Sequence, residues 1–157
     1  MLKDKRTPRF ALLLVAALML LACSKEPPPA VLHTVEGNVL QPADWQGKWV
    51  YINYWAEWCK PCAEEIPVLN KFAAEHSNVL VVGVNFDNPE NVAALQQISR
   101  MRIEFAVVTN DSAQTVFPHS VPTGLPGTIV VNPEGKVLRT LHGPQTESTL
   151  LQAQTSQ

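Results

Sequence analysis

From Val31 onward the hydrophobic and polar positions of the chain fall into short apolar runs separated by longer segments with helical spacing. Val31 to Val35 and Val39 to Leu40, split by Glu36-Gly37-Asn38, predict a small hairpin. Trp49 to Trp55 is dense in aromatic and β-branched residues and predicts a buried strand. Pro61 to His76 places Ile66, Leu69, Phe72 and Ala73 on one helix face. Pro67 inside that helix removes a backbone donor and predicts a kink. Val79 to Asn85 is a second apolar strand. Asn88-Pro89-Glu90 opens a helix to about Met101, with Val92, Leu95 and Ile98 expected to face inward. Phe105 to Thr109 predicts a third strand, and Ser112 to Phe117 at most a short helix stopped by Pro118. Thr128 to Val131 and Lys136 to Leu141 flank Asn132-Pro133-Glu134-Gly135, a hairpin pattern, and a last helix is expected from Gln145 to Ala153. Strands separated by helices, with a late antiparallel hairpin, predict an α/β fold: a mixed sheet covered on both faces.

The segment before this pattern has a different character. Lys3, Lys5, Arg6 and Arg9 precede an uncharged apolar run from Phe10 to Ala22, too short to span a bilayer comfortably and built like a secretory signal. Leu20-Leu21-Ala22-Cys23 resembles the lipobox of bacterial lipoproteins. That resemblance implies a signal peptide over residues 1–22, cleavage before Cys23 and lipidation of its thiol, with an ordinary signal cleaved nearby or an uncleaved anchor as the alternatives. Two or more acyl chains make a stable anchor. Residues 23–30 then form a lipidated, proline-rich tether through Ser24-Lys25-Glu26-Pro27-Pro28-Pro29, about 20 Å long in extended form, and residues 31–157 form the folded domain.

With 157 residues, 46% of them hydrophobic, the chain has room for one ordinary domain. Removal of the signal leaves 8 Lys and Arg against 13 Asp and Glu, a net charge of −5. This mild acidity argues against a nucleic-acid partner and against a basic membrane-hugging surface.

Once Cys23 is assigned to lipid, two cysteines remain, in Trp58-Cys59-Lys60-Pro61-Cys62. A bridge closing so small a loop removes little entropy from the unfolded chain, so an inert staple is a weak reason for this spacing. Zinc needs four ligands, and no second Cys-X-X-Cys exists; His33, His76, His119 and His142 are scattered. No metal and no cofactor is expected. A redox role suits the placement better: Cys59 at a helix N-terminus has its thiolate favoured by unpaired amides and the helix dipole. Cys62, one turn in, can strike Cys59 when that sulfur is held in a mixed disulfide. Pro61 suits the first helical turn and Lys60 adds positive charge beside the thiolate.

The run Asn53-Tyr54-Trp55-Ala56-Glu57-Trp58-Cys59-Lys60-Pro61-Cys62 resembles the active-site strand and loop of the thioredoxin superfamily, and within it the TlpA/ResA-like membrane-anchored branch. The resemblance spans about Gly37 to Leu151 and implies a thioredoxin-like three-layer fold with an N-terminal β-hairpin. It also implies a cis proline facing the two sulfurs. Pro122 and Pro126 are both present, and the run from Leu125-Pro126-Gly127-Thr128 to Gly135-Lys136 matches the family without a gap, selecting Pro126. Leu125 then offers its backbone to an incoming cysteine-containing segment, and Trp58, Lys60 and Pro61 belong to the same contact surface. The position after the proline, commonly Thr in the family, is Gly127 here, which alters that groove. Thioredoxin proper carries a buried Asp where this chain has Asn53; the TlpA/ResA-like branch instead resembles Cys-X-X-Cys-X-X-Glu, satisfied by Cys59, Cys62 and Glu65. Glu65 is thereby a catalytic candidate, a base for Cys62 if burial raises its pKa, as against a solvated helix residue like Glu64.

These features imply an extracytoplasmic thiol-disulfide oxidoreductase that reduces disulfides of cysteine-containing exported proteins from the periplasmic face of a bacterial membrane. The family suggests a transmembrane thiol donor of the DsbD type. A disulfide oxidase is the nearest alternative, and a redox-sensing or chaperone-like binding module the alternative of a different class; a peroxidase fits the Trp-Cys-X-X-Cys run less well. In cells of a lipoprotein-processing bacterium fed radiolabelled palmitate, the chain is expected to take up label, and Cys23→Ala to abolish it. Equal labelling of that variant would contradict the anchor.

Overall fold

A computed structural model of the chain describes residues 30–155; the expected signal peptide and Cys23 lie outside the described residues. A two-stranded hairpin, β1 (Leu32–His33) and β2 (Val39–Leu40), is followed by a single-turn helix α1 (Pro42–Trp45). Then come β3 (Trp49–Trp55), α2 (Lys60–Glu75), β4 (Val79–Asn85), α3 (Asn91–Met101), β5 (Ala106–Val107), α4 (Asn110–Val116), β6 (Gly127–Val131), β7 (Val137–His142) and α5 (Glu147–Thr155). The main sheet has the order β5-β4-β3-β6-β7, with β3, β4 and β5 parallel and β6 and β7 antiparallel to their neighbours. The expected α/β architecture with a mixed central sheet and an N-terminal hairpin is therefore present.

Two crossovers in the same direction explain the layering. Parallel connections are right-handed, so β3-α2-β4 and β4-α3-β5, each stepping one strand outward, deliver both helices to one face of the sheet. Tyr51, Trp55, Val79, Val81 and Val130 point to that face and pack with Cys59, Cys62, Ile66, Leu69 and Phe72 at and along α2 and with Leu150 and Ala153 of α5. Val50, Ile52, Tyr54, Val82, Val84, Ile129 and Val131 point the other way, onto Leu32, Trp45, Ala113 and Phe117. The continuous apolar run of β3 thus serves two cores at once, as a central strand must. Tyr51 meets Phe72 edge to face at 5.2 Å. Its hydroxyl donates to the Leu150 carbonyl at 2.7 Å, which ties α5 to β3.

Several expectations need correction. Val92 is 71% exposed and Leu95 is also exposed, so neither faces inward; Ala94 is the buried residue of α3, with Ile98 and Met101 packed beside it. Ala94, Ile98 and Met101 recur at i, i+4 and i+7 and form the inward stripe of the helix, which leaves Val92 and Leu95 on the solvent side. Strands β1 and β5 shrink to two residues each, and Thr34 bridges to Val108 instead, joining the hairpin to the edge of the sheet. No helix among the described residues is long and apolar enough to cross a membrane.

The two kinds of apolar residue should separate in a denaturation experiment. Phe72→Ala is expected to cost about 3–5 kcal/mol in urea unfolding, whereas Val92→Ala should stay within about 0.5 kcal/mol.

Candidate active site

Strand β3 ends at Trp55, buried, and the chain turns through Ala56, Glu57 and Trp58 into α2. Cys59 is the N-cap of that helix, with extended backbone, and its Sγ accepts from the Cys62 amide at 3.3 Å. A helix N-terminus leaves amides without intrahelical partners, and here one of them is directed at the first sulfur. Lys60 and Pro61 occupy the exposed outer side of the first turn, where a missing N–H is harmless. Cys59 and Cys62 form a disulfide with Cα atoms 5.3 Å apart, and Cys62 is fully buried under it.

The turn is held on both sides. Trp58 is 68% exposed, and its indole Nε1 donates to Asp87 at 2.8 Å. Glu57 is paired through both carboxylate oxygens with the Arg100 guanidinium on α3. The Leu125–Pro126 peptide is cis, and Leu125 is half-buried against both cores. Pro122 is not in a cis bond.

Glu65 lies on the same helical face as Cys62, one turn further, and is 1% exposed. Its Oε1 accepts from Asn53 Nδ2 at 2.7 Å and its Oε2 from the Gln145 amide at 3.0 Å. Burial pushes its pKa up from 4.5 to about 7, and these two hydrogen bonds restrain the rise. The same Asn53 nitrogen donates to Thr128 Oγ1 at 3.0 Å, across the register pair that joins β3 to β6. Glu64, by contrast, is exposed.

Sequence reasoning named Glu65 but missed what holds it. Asn53 and Thr128 are polar residues in otherwise apolar strands, a legible signal that each has a buried partner. The Gln145 amide, 80 residues from Glu65 in the chain, left no such signal. No cluster of His, Cys, Asp and Glu able to hold a metal occurs among the described residues.

A buried Cys-X-X-Cys disulfide capping a helix in a thioredoxin-like sheet defines the class: this is a thioredoxin-fold thiol-disulfide oxidoreductase. The model of the AhpC/TSA family matches residues 24–140, and the chain belongs to that family. The thiol-disulfide oxidoreductase ResA of Bacillus subtilis is 33% identical over 125 residues, covering 78% of this chain and 69% of that one. Among solved structures, the thioredoxin domain of a thiol-disulfide oxidoreductase from Bacteroides vulgatus superimposes with a TM-score of 0.61 at 25% identity, covering 80% of this chain and 92% of that one. StoA from Bacillus subtilis shares the fold, with a TM-score of 0.62 at 23% identity over 82% of this chain and 98% of that one.

The raised Glu65 pKa has a signed consequence. Between pH 4.5 and about 7 the folded protein keeps a proton that the unfolded chain releases, so stability falls as pH rises through this window and levels off above it. The oxidised protein should lose on the order of 3 kcal/mol of unfolding free energy relative to Glu65→Gln across that range. Parallel pH profiles for the two proteins would contradict the burial of an ionisable Glu65.

Proposed function

We propose that the chain is an extracytoplasmic reductase of protein disulfides, held by a lipidated Cys23 and the tether of residues 23–30 at a bacterial envelope membrane, its domain of residues 31–157 facing the periplasm. Cys59, as thiolate, attacks one sulfur of a client disulfide. The S–S bond breaks, one client thiolate leaves and a mixed disulfide forms. Cys62 then gives its proton to Glu65 and its sulfur attacks Cys59 Sγ, which releases the second client thiolate and leaves the Cys59–Cys62 disulfide. The client gains two electrons and the pair loses two. A transmembrane dithiol donor of the DsbD type restores the dithiol by the same exchange in reverse.

The observation that carries this reading is Glu65. A carboxyl one turn from the resolving sulfur, with a pKa of about 7, is part ionised at neutral pH, and so can both accept the thiol proton and release it again near that pH. A helix surface glutamate would do neither. Leu125 and Pro126 supply backbone for an extended client segment, and Trp58 with Lys60 and Pro61 supplies the contact surface around the sulfurs.

Insulin-disulfide reduction with dithiothreitol tests the scheme. Cys59→Ser should abolish turnover, Cys62→Ser should accumulate a covalent mixed disulfide, and Glu65→Gln should slow resolution by about 100-fold or more. The reduction potential of the pair is expected well below about −200 mV; a value near −120 mV would make the protein an oxidase instead.

A further inference from the structure

Gly127 is the first residue of β6, directly after Pro126, and its φ is not positive. The backbone conformation therefore does not call for glycine. Space does. A Cβ at this position would overlap Pro122 Cβ outright and stand 2.7 Å from Pro122 Cγ and 2.8 Å from the Gly124 carbonyl oxygen. Carbon atoms in ordinary contact lie at about 3.5–4.0 Å. Neither neighbour is the tip of a flexible side chain: one is a buried proline ring and the other is main chain.

Strand alternation gives the direction of this contact. Thr128 points to the face of α2, where it meets Asn53, while Ile129 and Val131 point to the opposite face with Tyr54. Gly127 shares the direction of Ile129, and it pairs with Tyr54 across β3. Pro122 thus fills, from the loop, the place of a side chain on β6. The loop is held at its start as well, since Ser120, fully buried, donates to the Phe117 carbonyl. Between these anchors only Val121, Thr123 and Gly124 are exposed, immediately before Leu125.

We propose that Gly127 and Pro122 are a mated pair that sets substrate specificity: by seating the loop of residues 120–124 flat against the start of β6, they fix the position of Leu125 and so shape the groove for an extended, cysteine-containing polypeptide. The proposal rests on the thiol-disulfide reading above. Gly127 and Pro122 touch no reacting atom and act as positioning residues, through Leu125. Any side chain at 127 lifts the loop by about an ångström or more, and a displacement of that size at a binding edge costs on the order of 10–100-fold in rate. The loss falls on polypeptide clients, which lie along the groove, and far less on a small disulfide that meets only the sulfurs.

The test compares kcat/KM for insulin with that for a small aromatic disulfide, using the full chain. Gly127→Ala is expected to lower the ratio of the two about tenfold, through KM for insulin, while the reduction potential of the Cys59–Cys62 pair stays at its wild-type value. Pro122→Gly, which removes both ring contacts, should in combination with Gly127→Ala recover at least half of the lost preference on a logarithmic scale. Should Gly127→Ala not fold, Pro122→Gly alone reports on the groove: it leaves the loop unseated and is expected to raise KM for insulin at least threefold with the potential unchanged. An unaltered substrate ratio in Gly127→Ala, no recovery in the double variant, or an unaltered KM in Pro122→Gly would overturn the pair as a specificity device. A wild-type chain that reduces neither disulfide would overturn the functional reading itself, and the groove with it.

Discussion

A carboxyl group removed from water is the constraint around which this site is built. Ionised and unpartnered, a buried carboxylate is costly enough that it takes up a proton instead. Glu65 is kept between those extremes by two donors, the Asn53 amide from β3 and the Gln145 main chain ahead of α5. Desolvation wins over both, and the pKa settles at about 7 rather than returning to the ordinary carboxylate range. Two neighbouring elements, β3 and α2, and a segment 80 residues further on must be correctly packed for that balance to hold. The Tyr51 hydroxyl on the Leu150 carbonyl ties α5 to β3, and the contacts of Glu147 with Lys71 and His76 tie it to α2, next to the Gln145 amide.

The fold places its chemistry at one end of the sheet by connectivity. The C-terminal end of β3 delivers Cys59 to the start of α2, and β6, running antiparallel, begins at that same end with Gly127, directly after Pro126. Asn53 ties β3 to both α2 and β6, with one nitrogen shared between Glu65 and Thr128. An aspartate at position 53 would set a second carboxylate against Glu65, and like charges there would oppose each other's ionisation. The amide gives a donor instead. Its place in β3 explains how a chain without thioredoxin's buried Asp retains a single titratable carboxyl beneath the disulfide.

Much of this was legible in the residues. The dense apolar run of β3, the spacing of Ile66, Leu69 and Phe72, and the turn signal at Asn132 to Gly135 each encode their element locally, so the strand and helix order followed from pattern. What escaped was decided by distance in the chain. Val92 and Leu95 carry helical spacing, yet the stripe that packs on the core is Ala94, Ile98 and Met101, a choice made by tertiary packing and not by the helix. The one-turn helix at Pro42–Trp45 is too short to have a period. At the site, the cysteines and Glu65 stand in one contiguous motif and could be read directly. The glycine at 127 could be seen as a departure, but its cause could not, because Pro122 meets it only through the folded loop.

Direct titration of the Glu65 carboxyl carbon by 13C NMR, in the disulfide and the dithiol forms, bears on all of this at once. A midpoint near pH 7 in the disulfide form, displaced when the two thiols are present to exchange a proton with it, is the result expected of a buried proton acceptor beside Cys62. A midpoint at about 4.5 in both forms, the value of a solvated glutamate, would contradict it.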